Sequence, residues 1–321
     1  MSNNAGVSSS TSGSATVNSW TPGTDYPTNA TGSCVTSGGY VYCVGGSTGA
    51  VYYAAVSSSG VDAWTVTTSY PTGITGQSCV ASMAYIYCVS GIDGTQGPRP
   101  TSAVYYAPLS NSGGIGEWTR TTDYPAGAIA LSCAESGGYI YCVGGADTVG
   151  ALESTATYFA TISSTGVGKW EATTSYPITV DDESCVASGG FIFCVAGYTA
   201  LGPQAINTTY YASVSSSGIG AWTVGTTFPT ADYGASCVTV GGFVYCIGGI
   251  AGSGDATDAV YYAPLSPSGG IGAWSSGESY PTGIITSCVA TGNVIACVSG
   301  STSSGVEGRT SAVYYTAVRS Q

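Results

Sequence analysis

Three consecutive carboxylates, Asp181, Asp182 and Glu183, are the most chemically suggestive residues in this chain, which has 17 acidic and 5 basic residues and no histidine. Neighbouring carboxylates can chelate a hard cation or raise one another's pKa, and together they can also hold sugar hydroxyls. Asp232 and Tyr233 occupy the corresponding place one repeat later. Arg99 and Arg309 are two of the few cations and could grip a carboxylate bidentately. Each group has a plainer reading. The acidic run reads as a solvated loop tip, which is the favoured expectation, and the arginines read as local partners of Asp93 and Glu307. Asp147, Glu153 and Tyr198 share the same region with no stronger claim. Ser33, Ser78, Ser132, Ser184, Ser236 and Ser287 each precede a cysteine, but without His or another evident base they are not nucleophiles; they are expected to ring a central channel. No metal or cofactor is called for by any motif.

The elements that position these residues are strands. Hydrophobic residues make up 43% of the chain and charged residues only 7%, against about a quarter in an average protein. Ser, Thr, Gly and tyrosine hydroxyls must therefore supply the polar surface. A net charge of −12 and the lack of any basic cluster exclude nucleic acid and anionic membrane surfaces as partners. No stretch is long and apolar enough for membrane insertion, and no secretory signal core is present. Residues 1–18 are Ser, Thr, Asn and Gly without periodicity and are expected to be flexible.

The stretch SCVTSGGYVYCVGG at Ser33–Gly46 recurs in altered form five more times. A Gly-Gly pair between two β-branched and aromatic runs is the signal of a tight hairpin. Register counted from that turn sets Cys34 opposite Cys43 at a non-hydrogen-bonded pair, where Cα atoms approach to about 4.5 Å and a disulfide fits. The same C-x8-C spacing gives Cys79–Cys88, Cys133–Cys142, Cys185–Cys194, Cys237–Cys246 and Cys288–Cys297. Zinc sites use shorter spacings, often with His. Six disulfides imply an oxidising compartment or the cytosol of a hyperthermophile, and the expected location is extracellular or at the cell surface.

Each repeat continues through a variable loop, a strand with paired tyrosines, an SSSGVG-like turn and a Trp, then Tyr-Pro or Phe-Pro six residues later. Trp20, Trp64, Trp118, Trp170, Trp222 and Trp274 are 44 to 54 residues apart, the period of propeller blades. Four short strands per unit, six times over, predict an all-β, six-bladed β-propeller of four-stranded antiparallel blades spanning residues 19–321. The last unit ends without a Trp strand and the first begins with one, so the N-terminal strand is expected to complete the last blade in a three-plus-one closure. The tyrosine pairs and tryptophans are assigned to packing, since adjacent strand residues point to opposite faces.

The order of an apolar strand ending in Gly-Gly (YVYCVGG), a tyrosine strand and a following Trp resembles the kelch repeat over residues 20 to 318. Blades beginning at Cys79, Cys185 and Cys288 carry Ser-Gly or Ala-Gly in place of the double glycine, and the cysteine pairs mark an exported variant. The resemblance implies a propeller whose relatives include copper radical oxidases, sialic-acid mutarotases, adaptors and adhesion modules. Zero His speaks against the first. The SSSGVDAW turn also lacks the Asp placement of a sialidase Asp box.

Alternating strand directions put the Gly-Gly hairpins and SSSGVG turns on one face and the variable loops on the other. Loops on a rigid scaffold commonly carry function. The expected function is a secreted or surface-displayed binding or adhesion module recognising a glycan or a cell-surface protein through the variable face. The alternatives are a carbohydrate-active enzyme using Asp181, Asp182, Glu183 or Asp232 as general acid and base, and a structural subunit of a surface layer or filament. Sequons at Asn29 and Asn207 are candidate glycosylation sites. With few bases to charge, the fold is expected to survive near pH 3. Ligand identity and oligomeric state are not encoded in any motif.

Overall fold

A computed structural model describes the chain except residues 1–14, 30–31, 47, 96, 98, 148–152, 203, 304–307 and 321. Its described residues are organised as six four-stranded antiparallel blades around an axis, a six-bladed propeller. The first blade runs from the inner strand Ser33–Ser37 through Tyr40–Val44 and Val51–Ser57 to the outer strand Thr65–Thr67. No helix long and apolar enough to cross a membrane occurs among the described residues.

Local chemistry explains each hairpin. Gly38 and Gly39 take φ of 59° and 83°, the left-handed values a two-residue hairpin of matching twist requires. Cys34 then faces Cys43 and all six cysteine pairs are bonded, with Cα atoms 3.9 to 4.1 Å apart. In the second blade Met83 and Ala84 hold the same turn at φ 50° and 61°. The Ser-Gly and Ala-Gly variants obey the same demand, since Ser90, Ala196 and Ser299 all adopt positive φ.

The core is divided into six clusters, one at each blade interface. Each Trp packs edge-on at 4.8 to 5.0 Å against the Tyr or Phe of the preceding Tyr-Pro or Phe-Pro motif. Its indole Nε1–H donates to a carbonyl of the preceding blade at 2.9 to 3.2 Å. The paired tyrosines split between interfaces: Tyr52 meets Tyr26, while Tyr53 stacks on Tyr42.

The last blade contains Ile285–Thr291, Val294–Ser301 and Arg309–Ser320. Thr21–Pro22 pairs with Tyr315 and Tyr314, and Ala15–Val17 pairs with Ser320 through Val318. The N-terminal segment therefore closes the ring. It also starts earlier than the flexible stretch assigned to residues 1–18 allows: Ala15 is buried, and Val17 packs into the interface of blades five and six.

Candidate functional site

The serine before each first cysteine has a defined structural role. Ser33 Oγ accepts from the backbone N–H of Cys79, Ser78 from Cys133, Ser132 from Cys185, Ser184 from Cys237, Ser236 from Cys288, and Ser287 from Cys34. All six bonds measure 2.8 to 3.0 Å. They form a closed belt that answers a strand-edge amide of every blade, so these hydroxyls are engaged in the scaffold.

Just above this belt lies a cavity of about 290 Å³ on the axis, lined by residues of the segments that enter all six inner strands. Here the backbone forms a second arc. Ala130 N–H donates to Gly76 O, Asp182 N–H to Ala130 O, and Gly234 N–H to Asp182 O, at 3.1, 3.0 and 2.8 Å. Gly76, Ala130, Asp182 and Gly234 all adopt left-handed φ, from 50° to 69°. Such a conformation costs a residue with a Cβ roughly 1–2 kcal/mol, and Asp tolerates it better than most. Asp182 thus places a carboxylate on the axis where three sister positions carry hydrogen or methyl.

The three carboxylates of the run diverge because of that kink. Asp182 is exposed along the axis, Asp181 is half-buried and Glu183 is buried at 5% exposure. The solvated loop tip expected from sequence therefore holds for Asp182 alone. Glu183 occupies the place that Gln77 holds two blades earlier. Gln77 Nε2 donates to Val44 O at 2.6 Å and lies 2.9 Å from where a Cβ on Gly45 would sit. Glu183 Oε1 stands 2.9 Å from the Cβ position of Gly144, the matching glycine of the third blade. Neither oxygen of Glu183 has a well-formed hydrogen bond, the nearest donors being the backbone amides of Glu183 and Ser132. Burial, reinforced by Asp181 and Asp182, pushes this carboxyl well above the usual carboxylate range, against a smaller lowering by the amides of Glu183 and Ser132. A neutral acid here retains one donor, as the amide of Gln77 does.

Asp232 is buried at 1% exposure. Burial raises it to about 7, opposed by the amides of Ile250 and Tyr233. Its carboxyl fills the space of a Cβ at Gly249, so the second glycine of this blade is a clearance for the acid. Asp181 is also raised to about 7, by burial first and then by Asp182 and Glu153. Asp182 is raised to about 6 by desolvation at the mouth, less than Asp181 and Asp232.

Sequence reasoning undervalued two neighbours. Glu153 is buried with Oε2 unpartnered, and Tyr198 meets Tyr233 edge-on at 5.4 Å. The link is a backbone bridge between Asp181 and Tyr198, a contact between two loops that spacing alone does not announce. Arg99 and Arg309 are exposed and do not line the axial cavity. Asp93 accepts from the amide and hydroxyl of Thr95, and Glu307 lies outside the described residues. A second cavity of about 390 Å³ lies beside the second blade, lined by Tyr70, Asp93, Tyr105 and Arg120, where Arg120 is already paired with Asp123 at 2.8 Å. Asn29 and Asn207 are both exposed. Among the described residues no group of three or more His, Cys, Asp or Glu is arranged to hold a metal ion.

No family model matches the sequence, and no curated protein matches it. Among 703 matching solved chains, one titled "Structure of YjhT" aligns with a TM-score of 0.73 over 93% of this chain and 99% of its own, at 13% identity. At that identity the likeness establishes the propeller fold and nothing finer.

Proposed function

We propose that this chain is an exported, kelch-like binding module that recognises a glycan or a cell-surface protein at the axial mouth of its variable loop face. The observation that carries the reading is the mouth itself. Six segments converge on one cavity, and Asp182 is held there in a conformation that its sister positions fill with glycine or alanine. Residues kept in costly backbone states cluster at functional sites. The disulfides and the serine belt make the scaffold rigid, which lowers the ordering cost of binding, and six intramolecular disulfides agree with an oxidising location. A glycan array combined with pull-down from surface extracts tests this. Binding should be lost on Asp182→Lys and kept on Asp62→Lys in the opposite turn; loss only with the latter overturns the reading.

A second reading, hydrolysis or isomerisation of a carbohydrate, is favoured by Asp181 and Asp232 titrating near 7, where general acids and bases work best. Turnover of an array-identified glycan, abolished by Asp181→Asn or Asp232→Asn, would establish it.

A further inference from the structure

The second cavity, of about 390 Å³, shares no lining residue with the axial mouth. It lies between the connection from blade one to blade two and the long loop of blade two, and these walls are pinned together where Ile92 and Asp93 pair with Thr75 and Ile74. Ser102 is held as well, since its carbonyl accepts from the Tyr124 amide at 2.8 Å. The volume falls in the range of small-ligand pockets, and a cavity already in shape lowers the ordering cost of binding. Its wall carries spare hydrogen-bonding capacity. Tyr70, Thr72, Ser102 and Tyr105 all line it, and among the described residues no hydrogen bond engages any of their four hydroxyls. Tyr70 is only 4% exposed, and burial, then Tyr105 and Asp93, hold its hydroxyl un-ionised, so that it both donates and accepts. A polar group placed this way calls for a partner.

The wall also carries both signs of charge, on Asp93 and Arg120. The residue two positions after each Trp is Pro, Val, Ala, Val or Ser in the other five blades and Arg only here. Arg120 Nε and Nη2 donate to the two oxygens of Asp123 at 3.0 and 2.8 Å, while Asp93 accepts from Thr95. Both charges are thereby answered within the protein. An anionic ligand would meet Asp93, and a cationic one would meet the guanidinium.

We propose that this cavity is a second binding site, at the seam of blades one and two, for a single neutral, hydroxyl-rich sugar ring. Sugar hydroxyls donate and accept, as the four free hydroxyls of the wall do, so every pair can be matched in either sense. The C–H groups between them are apolar and bury well against tyrosine rings; Tyr70 and Tyr105 already pack edge-on at 5.4 Å. An apolar ligand would leave the wall hydroxyls unmatched, and a charged sugar would meet its own sign on Asp93 or Arg120. The site stands or falls independently of the axial mouth.

Titration calorimetry with glucose, galactose and mannose, each beside its uronate and its protonated 2-amino form, tests the proposal. At least one neutral sugar should bind with a Kd of about 1 mM or tighter, and its charged forms should bind at least about 10-fold more weakly. Tyr70→Phe should weaken the neutral sugar about 5-fold, the share of one hydrogen bond. The fold should tolerate that change, because Phe228 fills the same place in the fourth blade and packs on its Trp in the same way. Ser102→Ala should weaken binding to a similar degree from the opposite wall. Binding of none of the three neutral sugars, equal or tighter binding of the charged forms, or neutral binding untouched by both Tyr70→Phe and Ser102→Ala overturns the proposal. If neutral binding survives both variants and is lost on Asp182→Asn, the sugar occupies the axial mouth, which then stands while this site falls. Binding that is weakened by both variants and is the only binding detected supports this site and counts against the mouth.

Discussion

The two faces of this ring are built to opposite rules. On the hairpin face the turns repeat nearly unchanged and polar groups find partners: Tyr42, Tyr87 and Tyr141 donate to Ser110, Ser163 and Ser215 carbonyls of the following blade. Among the described residues, Tyr245 Oη is a hairpin-face hydroxyl left buried without a partner. The blade it faces is the sixth, where Ala15 pairs with Ser320. On the loop face, Gln77, Glu153, Asp181, Glu183, Thr230 and Asp232 all leave buried oxygens unmatched. The repeated face carries few such features, Met83, Ala84 and Tyr245 being the exceptions, whereas the variable face concentrates unsatisfied acceptors and strained backbone. Such features persist when selection acts on something other than stability.

The comparison presumes one closed scaffold, and breaking the closure should have the largest effect. Deleting residues 1–27 removes Ala15, Val17, Trp20 and Tyr26 from the two interfaces of the last blade. Each large side chain lost from a core costs about 2–5 kcal/mol, so the melting temperature should fall by more than about 10 °C. An unchanged calorimetric melt would mean the ring does not depend on its clasp.

Acid should act through the loop face, and with an unusual sign. The folded pKa values of Asp181, Asp182 and Asp232, about 7, 6 and 7, and that of Glu183 all lie above those of the unfolded chain. The folded state therefore retains protons that the unfolded chain releases above about pH 4. Stability from these groups is complete below that pH and is lost as pH rises through about 7. The melt should be several degrees higher at about pH 4.5 than at about pH 7.5, in keeping with the expected survival near pH 3. Glu183→Gln should flatten the slope and leave the fold at least as stable at neutral pH, as Gln77 does at its own site. A melt that falls on acidification would contradict the shared upward shifts.

The hairpin face has one place where the rule can be sharpened. Met83 and Ala84 carry the positive φ that glycines carry in the first, third, fourth and fifth blades. Replacing both with glycine should stabilise the protein by about 1 kcal/mol per site, the left-handed cost less the flexibility glycine adds, readable in urea melts. A smaller loss of about 1 kcal/mol is expected for Ser132→Ala, which removes one bond of the belt and leaves the Cys185 amide facing the channel. Because water in the channel can replace that bond, a loss several times larger would point to a packing role instead.

Much of the fold was readable because its instructions are local. The Gly38–Gly39 turn fixes the strand register, the register sets Cys34 against Cys43, and alternation separates Tyr52 from Tyr53. The site was readable only as an address. Asp181, Asp182 and Glu183 were recognisable as a cluster, but their fates depend on φ at Asp182, which an L-residue does not advertise. Glu153 and Tyr198 join through backbone bridges, whereas Arg99 is exposed away from the axial cavity and Arg309 opens a strand of the last blade, paired with Ser301, instead of lying in the variable loop expected for it.

What the sequence alone determined was blade number, disulfide pairing, strand order and the closing strand, all consequences of two-residue periodicity and turn chemistry repeated six times. Tertiary structure alone decided that the serines expected around the channel accept from the cysteine amides of neighbouring blades, that Glu183 stands in for a glutamine, and that Asp182 is the carboxylate on the axis. Those outcomes rest on partners about fifty residues away, brought together by the ring and by the desolvation it imposes, and no local pattern encodes them.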